Sequence, residues 1–144
     1  MLSANQLPAN SSQGGVTLLV EDNDTYRMVV VTALGHYLPG YEIVEAATVD
    51  SALAALRSHA IEVVVSDMTL PDGSAIDLIE RSRGLIRQGV KFIIFSNHSR
   101  EDMLPVLDQS GVHSYVEKAS GLKALAQAVQ AAIHPETHAL PASH

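Results

Sequence analysis

The chain has 144 residues, of which 47% are hydrophobic and 17% charged, enough for one domain with a buried core. Its 9 basic and 16 acidic residues give a formal net charge of −7, which argues against binding of nucleic acid within these residues. The absence of cysteine excludes disulfides and thiolate metal sites. The first fifteen residues contain no Lys or Arg and no apolar run, unlike a signal peptide or a membrane span. We expect a soluble, cytoplasmic protein that makes no membrane contact.

Residues 1–15 are rich in Ser, Asn, Gln and Gly and show no hydrophobic period, which predicts a flexible leader. Residues 135–144 are predicted to form a flexible tail. The single domain between them, residues 16–134, alternates strand and helix patterns five times. Such alternation predicts an α/β fold, with a five-stranded parallel sheet and helices on both faces. The predicted strands are 16–20, 41–46, 61–66, 91–95 and 112–117.

The predicted helices follow residues that suit an N-cap: Asp22 or Asn23, Thr48, Ser74, Ser99 and Ser120. The first helix is predicted to bury Met28, Val31, Leu34 and Leu38, and the second to bury Val49, Ala52, Leu53 and Leu56. The third is predicted to run from Ser74 to near Gly84 or Gly89. Pro105 should make the fourth helix short, late or bent, because proline removes a backbone hydrogen bond and clashes with the preceding turn.

The third strand delivers a carboxylate to its own end. Val63, Val64 and Val65 form a continuous β-branched run, typical of a strand covered on both faces, and Asp67 follows directly. The turn Pro71-Asp72-Gly73 then leads into a helix. Ligands of open α/β sheets bind outside the carboxyl ends of the strands. Asp67 is therefore a candidate site residue, although a solvated loop aspartate is the alternative.

Polar side chains also follow the other strands: Glu21 and Asp22 after the first, Ser96 after the fourth and Lys118 after the fifth. Three carboxylates brought together repel one another unless cations lie among them, and one lysine is not enough. Mg²⁺ would complete the group, since it takes hard oxygen ligands and accepts phosphate oxygens. An aspartate can attack a phosphoryl group to form an aspartyl phosphate, with Ser96 and Lys118 completing the hydrogen bonds of the phosphate.

In this order, the motifs resemble the receiver (response regulator) domains of two-component signalling. The resemblance covers roughly residues 16–133 and rests on Leu18-Leu19-Val20-Glu21-Asp22, Asp67-Met68-Thr69-Leu70-Pro71-Asp72-Gly73, Ser96 and Tyr115-Val116-Glu117-Lys118. It implies a flavodoxin-like sheet of strand order 2-1-3-4-5.

The resemblance also implies a role for each matching residue. Asp67 would be the phosphoacceptor, and Lys118 would pair with the phosphoryl group. Ser96 would be the switch hydroxyl, and Tyr115 the aromatic residue that turns inward with it. The Mg²⁺ ligands would be Glu21, Asp22, Asp67 and the backbone carbonyl of Thr69.

Two positions depart from the family pattern. Lys118 is followed by Ala119 rather than the frequent proline, so a cis peptide is not expected there. Asn97 replaces the small residue that often follows the switch hydroxyl and is predicted, with His98, to restrict access to the phosphoryl site. The segment 118–122 is similar to receivers that precede a helix-turn-helix output domain, but we expect no such domain within these residues.

The resemblance predicts a switch whose phosphoryl donor is a histidine kinase or phosphotransfer protein. The receiver would catalyse its own phosphorylation and dephosphorylation, rather than turn over a separate substrate, and would act on a downstream output protein or domain. A phosphorylation-dependent homodimer would use the fourth helix, fifth strand and fifth helix.

Three alternatives remain open at this stage. A non-catalytic, receiver-like interaction module would be expected to lose the acids or the lysine, and this chain keeps both. A haloacid-dehalogenase-type phosphatase requires a second aspartate where Thr69 stands. Tyr115 alternatively packs on the last helix as an ordinary strand aromatic. The seven histidines show no metal-ligand spacing, and no histidine metal site is predicted.

Overall fold

The computed structural model describes residues 15–108 and 110–135, which are organised around one parallel sheet. Its strands are β1 Val16–Val20, β2 Glu42–Ala46, β3 Val63–Ser66, β4 Lys91–Ser96 and β5 Ser114–Glu117. They lie in the order β2-β1-β3-β4-β5, and every neighbouring pair is parallel. The predicted strand order and fold class are confirmed. The predicted leader and tail lie outside the described residues, apart from Gly15, which is buried, and Pro135, which is exposed.

Besides a short helix at Arg83–Arg87, the described residues form five helices that connect and flank the strands: α1 Asp24–Tyr37, α2 Val49–Ser58, α3 Ala75–Glu80, α4 Arg100–Leu107 and α5 Leu122–Ile133. Four of them begin at a predicted cap, where a side-chain oxygen accepts a hydrogen bond from a backbone N–H of the first turn. These caps are Asn23, Thr48, Ser74 and Ser99. Within the described residues, no helix is long and apolar enough to cross a membrane.

Both faces of the sheet are buried, and each supports its own apolar layer. Leu18 and Val64 belong to the layer under α2, α3 and α4, whereas Leu19 and Val65 belong to the layer under α1 and α5. Val63, Val64 and Val65 are fully buried, which explains why that strand is continuously apolar instead of alternating. The two layers leave the carboxyl ends of the strands as the place where polar groups can face solvent.

The predicted inner face of α1 is wrong at one position. Met28 is 65% exposed, while Val30 and Leu34 are buried. At 3.6 residues per turn, Met28 lies about 200° around the helix from Val30, so both cannot face the sheet. The helix instead buries a stripe of residues spaced four apart, Val30, Leu34 and Leu38.

The third predicted helix is interrupted. α3 ends at Glu80, and a separate short helical segment, Arg83–Arg87, follows. The carbonyl of Ser82 accepts hydrogen bonds from the N–H groups of Leu85 and Ile86, so Ser82 starts a new turn. Serine and the nearby glycine have low helix propensity, which favours a break here.

The last two connections also differ from prediction at their boundaries. Ser120 does not cap α5, because residues Lys118–Ser120 form a 3₁₀ turn and Gly121, at φ 94°, precedes the helix. Strand β5 begins at Ser114 instead of Val112. α4 begins directly after Ser99 and has eight residues, with Pro105 near its end, so the predicted shortness is confirmed.

Candidate functional site

An open cavity of about 450 Å³ lies at the carboxyl ends of the strands. Its lining consists of Glu21, Asp22, Asn23, Tyr26, Asp67, Asn97 and Lys118. Glu21 and Asp22 follow β1, Asp67 follows β3, Asn97 follows β4, and Lys118 follows β5. Parallel strands bring side chains that are distant in sequence to one edge of the sheet, which is why the predicted acids and lysine meet.

The three predicted acids converge. Glu21, Asp22 and Asp67 each offer a carboxylate oxygen, and these atoms lie within 4.8 Å of one another. Glu21 is buried, Asp67 is half-buried and Asp22 is exposed, so the group opens toward solvent. Hard oxygen donors with room for water suit Mg²⁺, which keeps several waters and is bound through one or two carboxylates. The donor set therefore fits this ion.

Arg27, which sequence reasoning missed, fixes the loop that carries two of the acids. Its Nη1 donates to the backbone carbonyl of Glu21 at 2.7 Å. Its Nε donates to Glu45 Oε1 at 3.0 Å, and its Nη2 donates to Asp24 at 2.9 Å. One guanidinium thus joins the end of β1, the start of α1 and strand β2. An arginine one turn into a helix carries no distinctive sequence signal, so only the structure reveals this role.

Lys118 lies between two of the acids. Its Nζ is 3.3 Å from Glu21 Oε1 and 3.4 Å from Asp67 Oδ2, both long for a charge-assisted hydrogen bond. Burial alone would lower the pKa of Lys118, but the charges of Asp67 and Glu21 outweigh it and raise the pKa above its usual value. The ammonium is therefore charged and only loosely bonded. No cis peptide occurs among the described residues, as expected for Lys118-Ala119.

Two aromatic rings lie next to the Lys118 ammonium group. Its Nζ lies 4.6 Å from the centroid of the Tyr26 ring and 5.9 Å from that of Phe95. The two rings are stacked, with centroids 6.5 Å apart and planes 15° from parallel. Burial raises the pKa of Tyr26, whose hydroxyl therefore stays protonated. Sequence reasoning did not place Tyr26 at the site, because an aromatic residue in a first helical turn usually indicates core packing.

The Asp67 carboxylate is held by its own loop. Its Oδ1 accepts a hydrogen bond from the Met68 N–H at 2.8 Å, and the Ser66 hydroxyl donates to its carbonyl. Thr69–Leu70 and Gly73–Ser74 then pair as two short antiparallel strands, which close the predicted turn. Thr69 is exposed at the start of this pair, two residues after Asp67.

Asp72 ties this loop to the start of α2. Its carboxylate accepts from the N–H groups of Val49 at 2.7 Å and Asp50 at 3.0 Å. These two hydrogen bonds lower the pKa of Asp72. Gly73 is required beside it, since φ is 156° and a Cβ would lie 2.9 Å from a carboxylate oxygen of Asp77.

The backbone of His98 connects Ser96 and Tyr115. Its N–H donates to Ser96 Oγ at 3.2 Å, and its carbonyl accepts from the Tyr115 hydroxyl at 2.6 Å. Ser96 is buried and lies outside the cavity lining, as does the exposed His98, whereas Asn97 lines the cavity. Tyr115 is buried in the layer with Leu107 of α4 and not in the layer of α5, which contradicts the alternative that it packs on the last helix.

Glu117 connects the same region to α4. Its Oε2 accepts from the Arg100 N–H at 2.8 Å, at the first turn of that helix. The residue before Lys118 thus binds the N-terminus of α4, while Ser99 caps the same turn. A displacement of Glu117 at the end of β5 would therefore alter the hydrogen bonding of the first turn of α4.

Residues 17–130 match the family model described as response regulator receiver domain. The chain belongs to this family. This receiver is 28% identical over 124 residues to the transcriptional regulatory protein KdpE of Mycobacterium tuberculosis strain H37Rv, covering 86% of this chain and 54% of that protein. It is 30% identical over 117 residues to the KDP operon transcriptional regulatory protein KdpE of Escherichia coli K12, covering 81% of this chain and 50% of that protein. It spans about half the length of these curated relatives.

Solved structures agree with the family. A two-component response regulator of the LuxR family from Aurantimonas sp. SI85-9A1 superposes with a TM-score of 0.73 at 28% identity, covering 82% of this chain and 84% of that one. A CheY-like receiver domain from Methanospirillum hungatei JF-1, at 24% identity and a TM-score of 0.73, shares the fold over 86% of this chain and 97% of its own. The receiver is thus a two-component signalling domain, from a family that binds Mg²⁺ at an acidic site and interacts with kinases and output domains.

Proposed function

We propose that this receiver is a switch that accepts a phosphoryl group on Asp67 from a phosphohistidine of a histidine kinase or phosphotransfer protein. The observation that supports this most directly is the Asp67 carboxylate itself, which lines an open cavity beside two further acids and a lysine. One oxygen of Asp67 forms the new O–P bond while the P–N bond to the imidazole of the donor breaks. The imidazole leaves with the electron pair. Hydrolysis later transfers the phosphoryl group to water and restores the carboxylate.

The proposed ligands of Mg²⁺ are Glu21, Asp22, Asp67 and the backbone carbonyl of Thr69. The bound ion would offset the negative charge of the acids and of the phosphoryl oxygens. Arg27 keeps the Glu21 carbonyl in place, so the acidic loop needs little rearrangement when the ion binds.

Lys118 would pair with a phosphoryl oxygen, and Ser96 would supply a second hydrogen bond. For this, the Ser96 side chain, which is buried outside the cavity lining, must turn toward the cavity, away from its present position where its Oγ accepts a hydrogen bond from the N–H of His98. A phosphoryl group adds about −1.5 to −2 charges and strong acceptors, enough to attract a mobile hydroxyl. The Tyr115 hydroxyl donates a hydrogen bond to the carbonyl of His98, so a rearrangement at His98 would reach Tyr115 and α4.

The proposed output surface consists of α4, β5 and α5, through which the phosphorylated receiver would form a homodimer. Leu104 and Val106 of α4 are 42% and 44% exposed, so this helix offers apolar area to a partner. The names of the KdpE relatives describe transcriptional regulators, which favours a DNA-binding output partner for this receiver.

Two alternatives receive less support. A haloacid-dehalogenase-type phosphatase would need an aspartate at position 69, and this chain has the exposed Thr69 there. A non-catalytic interaction module would have no use for three converging carboxylates with a lysine between two of them.

Phosphorylation of purified protein with acetyl phosphate and Mg²⁺ tests the proposal. Intact mass spectrometry should show one acid-labile phosphoryl group on the wild type and on Glu80→Gln, whose carboxylate is exposed, pairs with Arg83 and lies outside the acidic group. Asp67→Asn should remain unlabelled. Equal labelling of Asp67→Asn would contradict the assignment. Light scattering on the same samples should show the mass of a dimer for labelled protein and of a monomer for unlabelled protein.

A further inference from the structure

We propose that Tyr26 is a positioning residue for Lys118, whose ring keeps the lysine ammonium at the cavity when a cation and a phosphoryl group engage the carboxylates. This inference rests on the proposed function, because it assigns Tyr26 a part in the same transfer. It concerns the face of the ring, and the tyrosine hydroxyl has no role in it.

The ring is held from two directions. The N–H of Tyr26 donates to Asn23 Oδ1 at 2.8 Å, within the cap of α1. The N–H of Asn23 in turn donates to Glu21 Oε2 at 3.1 Å, so the cap belongs to the acidic loop. The ring also stacks on Phe95, which is 2% exposed in β4. Tyr26 therefore has a fixed place relative to both the acids and the sheet.

The ring contact with Lys118 is independent of the acids. Lys118 Nζ forms ion pairs with Glu21 and Asp67, and both residues belong to the carboxylate group that fits Mg²⁺. A cation bound there would share these carboxylates and repel the ammonium. The face of an aromatic ring attracts an ammonium group within about 6 Å of its centroid, and this attraction would remain.

The consequence is a preorganised lysine. With its carboxylate contacts weakened, Lys118 would be free to swing into solvent on its four-carbon side chain. The 4.6 Å contact with Tyr26 keeps the charge beside Asp67, where a phosphoryl oxygen would arrive. A charge that is already in place costs no reorganisation when the transition state forms.

Tyr26→Phe and Tyr26→Met distinguish the contribution of the aromatic ring from those of the hydroxyl and of side-chain volume. Phenylalanine keeps the aromatic face, whereas methionine fills much of the volume without one. Tyr37→Met is the matched control, because Tyr37 is a 43% exposed tyrosine of the same helix.

The first measurement is the NMR shift of the Lys118 ε-methylene protons, without metal or phosphoryl analogue. Wild type, Tyr26→Phe and Tyr37→Met should show an upfield ring-current shift that is clearly smaller in Tyr26→Met, where only the more distant Phe95 ring remains near Lys118. The second is the affinity for beryllofluoride with Mg²⁺, by calorimetry. We expect Tyr26→Met to bind about tenfold more weakly, within the range of a partly desolvated cation–π contact, and Tyr26→Phe to match wild type.

An unshifted Lys118 resonance in the wild type would overturn the proposal without any substitution, so a variant that fails to fold leaves it testable. Equal weakening in Tyr26→Phe and Tyr26→Met would overturn it as well, since the hydroxyl would then be the important group. A wild type with the ring-current shift that binds no beryllofluoride would instead contradict the proposed function.

Discussion

Two lysines occupy opposite ends of the sheet. Lys91 is the first residue of β4, and Lys118 directly follows β5. The Nζ of Lys91 donates to the backbone carbonyl of Ala132 at 2.9 Å, an ordinary hydrogen bond. The Nζ of Lys118 has only long contacts with two carboxylates and lies over an aromatic ring.

The difference separates a structural lysine from one that is available to a ligand. Ala132 lies in the last turn of α5, where carbonyls lack partners within the helix, and Lys91 satisfies one of them. Lys118 instead shares its charge among groups that a cation or a phosphoryl group would also bind. Lys91 thus makes one short hydrogen bond, whereas the long, shared contacts of Lys118 leave its ammonium able to exchange partners.

The largest effect is expected for Lys118→Met, with Lys91→Met as its matched control. Losing Lys118 should slow phosphorylation of Asp67 by acetyl phosphate by about a hundredfold, the cost of removing one donor to developing charge. Lys91→Met should leave that rate unchanged and lower the free energy of unfolding by about 1 kcal/mol, the value of a typical hydrogen bond. Rates come from mass spectrometry over time and stabilities from urea unfolding. Similar rates for the two variants would abolish the distinction.

A smaller effect is expected for Asp22→Ala on Mg²⁺ binding. Asp22 is exposed but contributes to the acidic group, so its removal deletes a proposed ligand without disturbing the core. Affinity should fall by about tenfold or more, at least the loss that outer-shell substitutions cause. Glu80→Ala is the control, because Glu80 is an exposed acid that pairs with Arg83 outside that group. NMR titration with Mg²⁺ measures both, and equal affinities for the two variants would show that Asp22 is not a ligand.

Local patterns could be predicted from the sequence, whereas contacts between distant elements could not. Strand periodicity and caps predicted the parallel sheet, four helix starts and the convergence of Asp67 with Glu21 and Asp22, because these depend on local patterns and on parallel topology. The strand order came from the resemblance to receiver domains. Tyr26, Arg27 and the break at Ser82 were missed. The roles of Tyr26 and Arg27 come from contacts between elements, and nothing in their neighbouring residues distinguishes them from ordinary helix positions. At Ser82 the local signal is weak, because serine and the nearby glycine lower helix propensity without requiring a break.

Asn97→Ala tests access to the carboxyl-end cavity. Asn97 is exposed and lines the cavity, so its amide is placed to obstruct small donors and attacking water. Alanine should raise both the phosphorylation rate with acetyl phosphate and the rate of self-dephosphorylation, by about threefold, because in-line approach becomes less restricted. His98→Ala should change these rates less, since His98 lies outside the lining. Mg²⁺ affinity should not change in Asn97→Ala, and unchanged rates would mean that Asn97 is not the barrier.

The smallest effect is expected at the amino end of the sheet, where the charge of Lys91 should change the pH dependence of stability through His113. Burial lowers the pKa of His113, and the nearby charge of Lys91 lowers it further. The unfolded chain therefore binds a proton more readily than the folded protein. The contribution to stability is complete above the unfolded pKa of about 6.5 and is lost as the pH falls through the lower folded value.

Urea unfolding at about pH 7.5 and about pH 5.5 should show a smaller loss of stability in His113→Gln than in wild type. Lys91→Met should lie between them, because it removes only the charge and leaves the burial. If Lys91→Met and wild type lose equal stability between these two pH values, the charge of Lys91 does not reach His113.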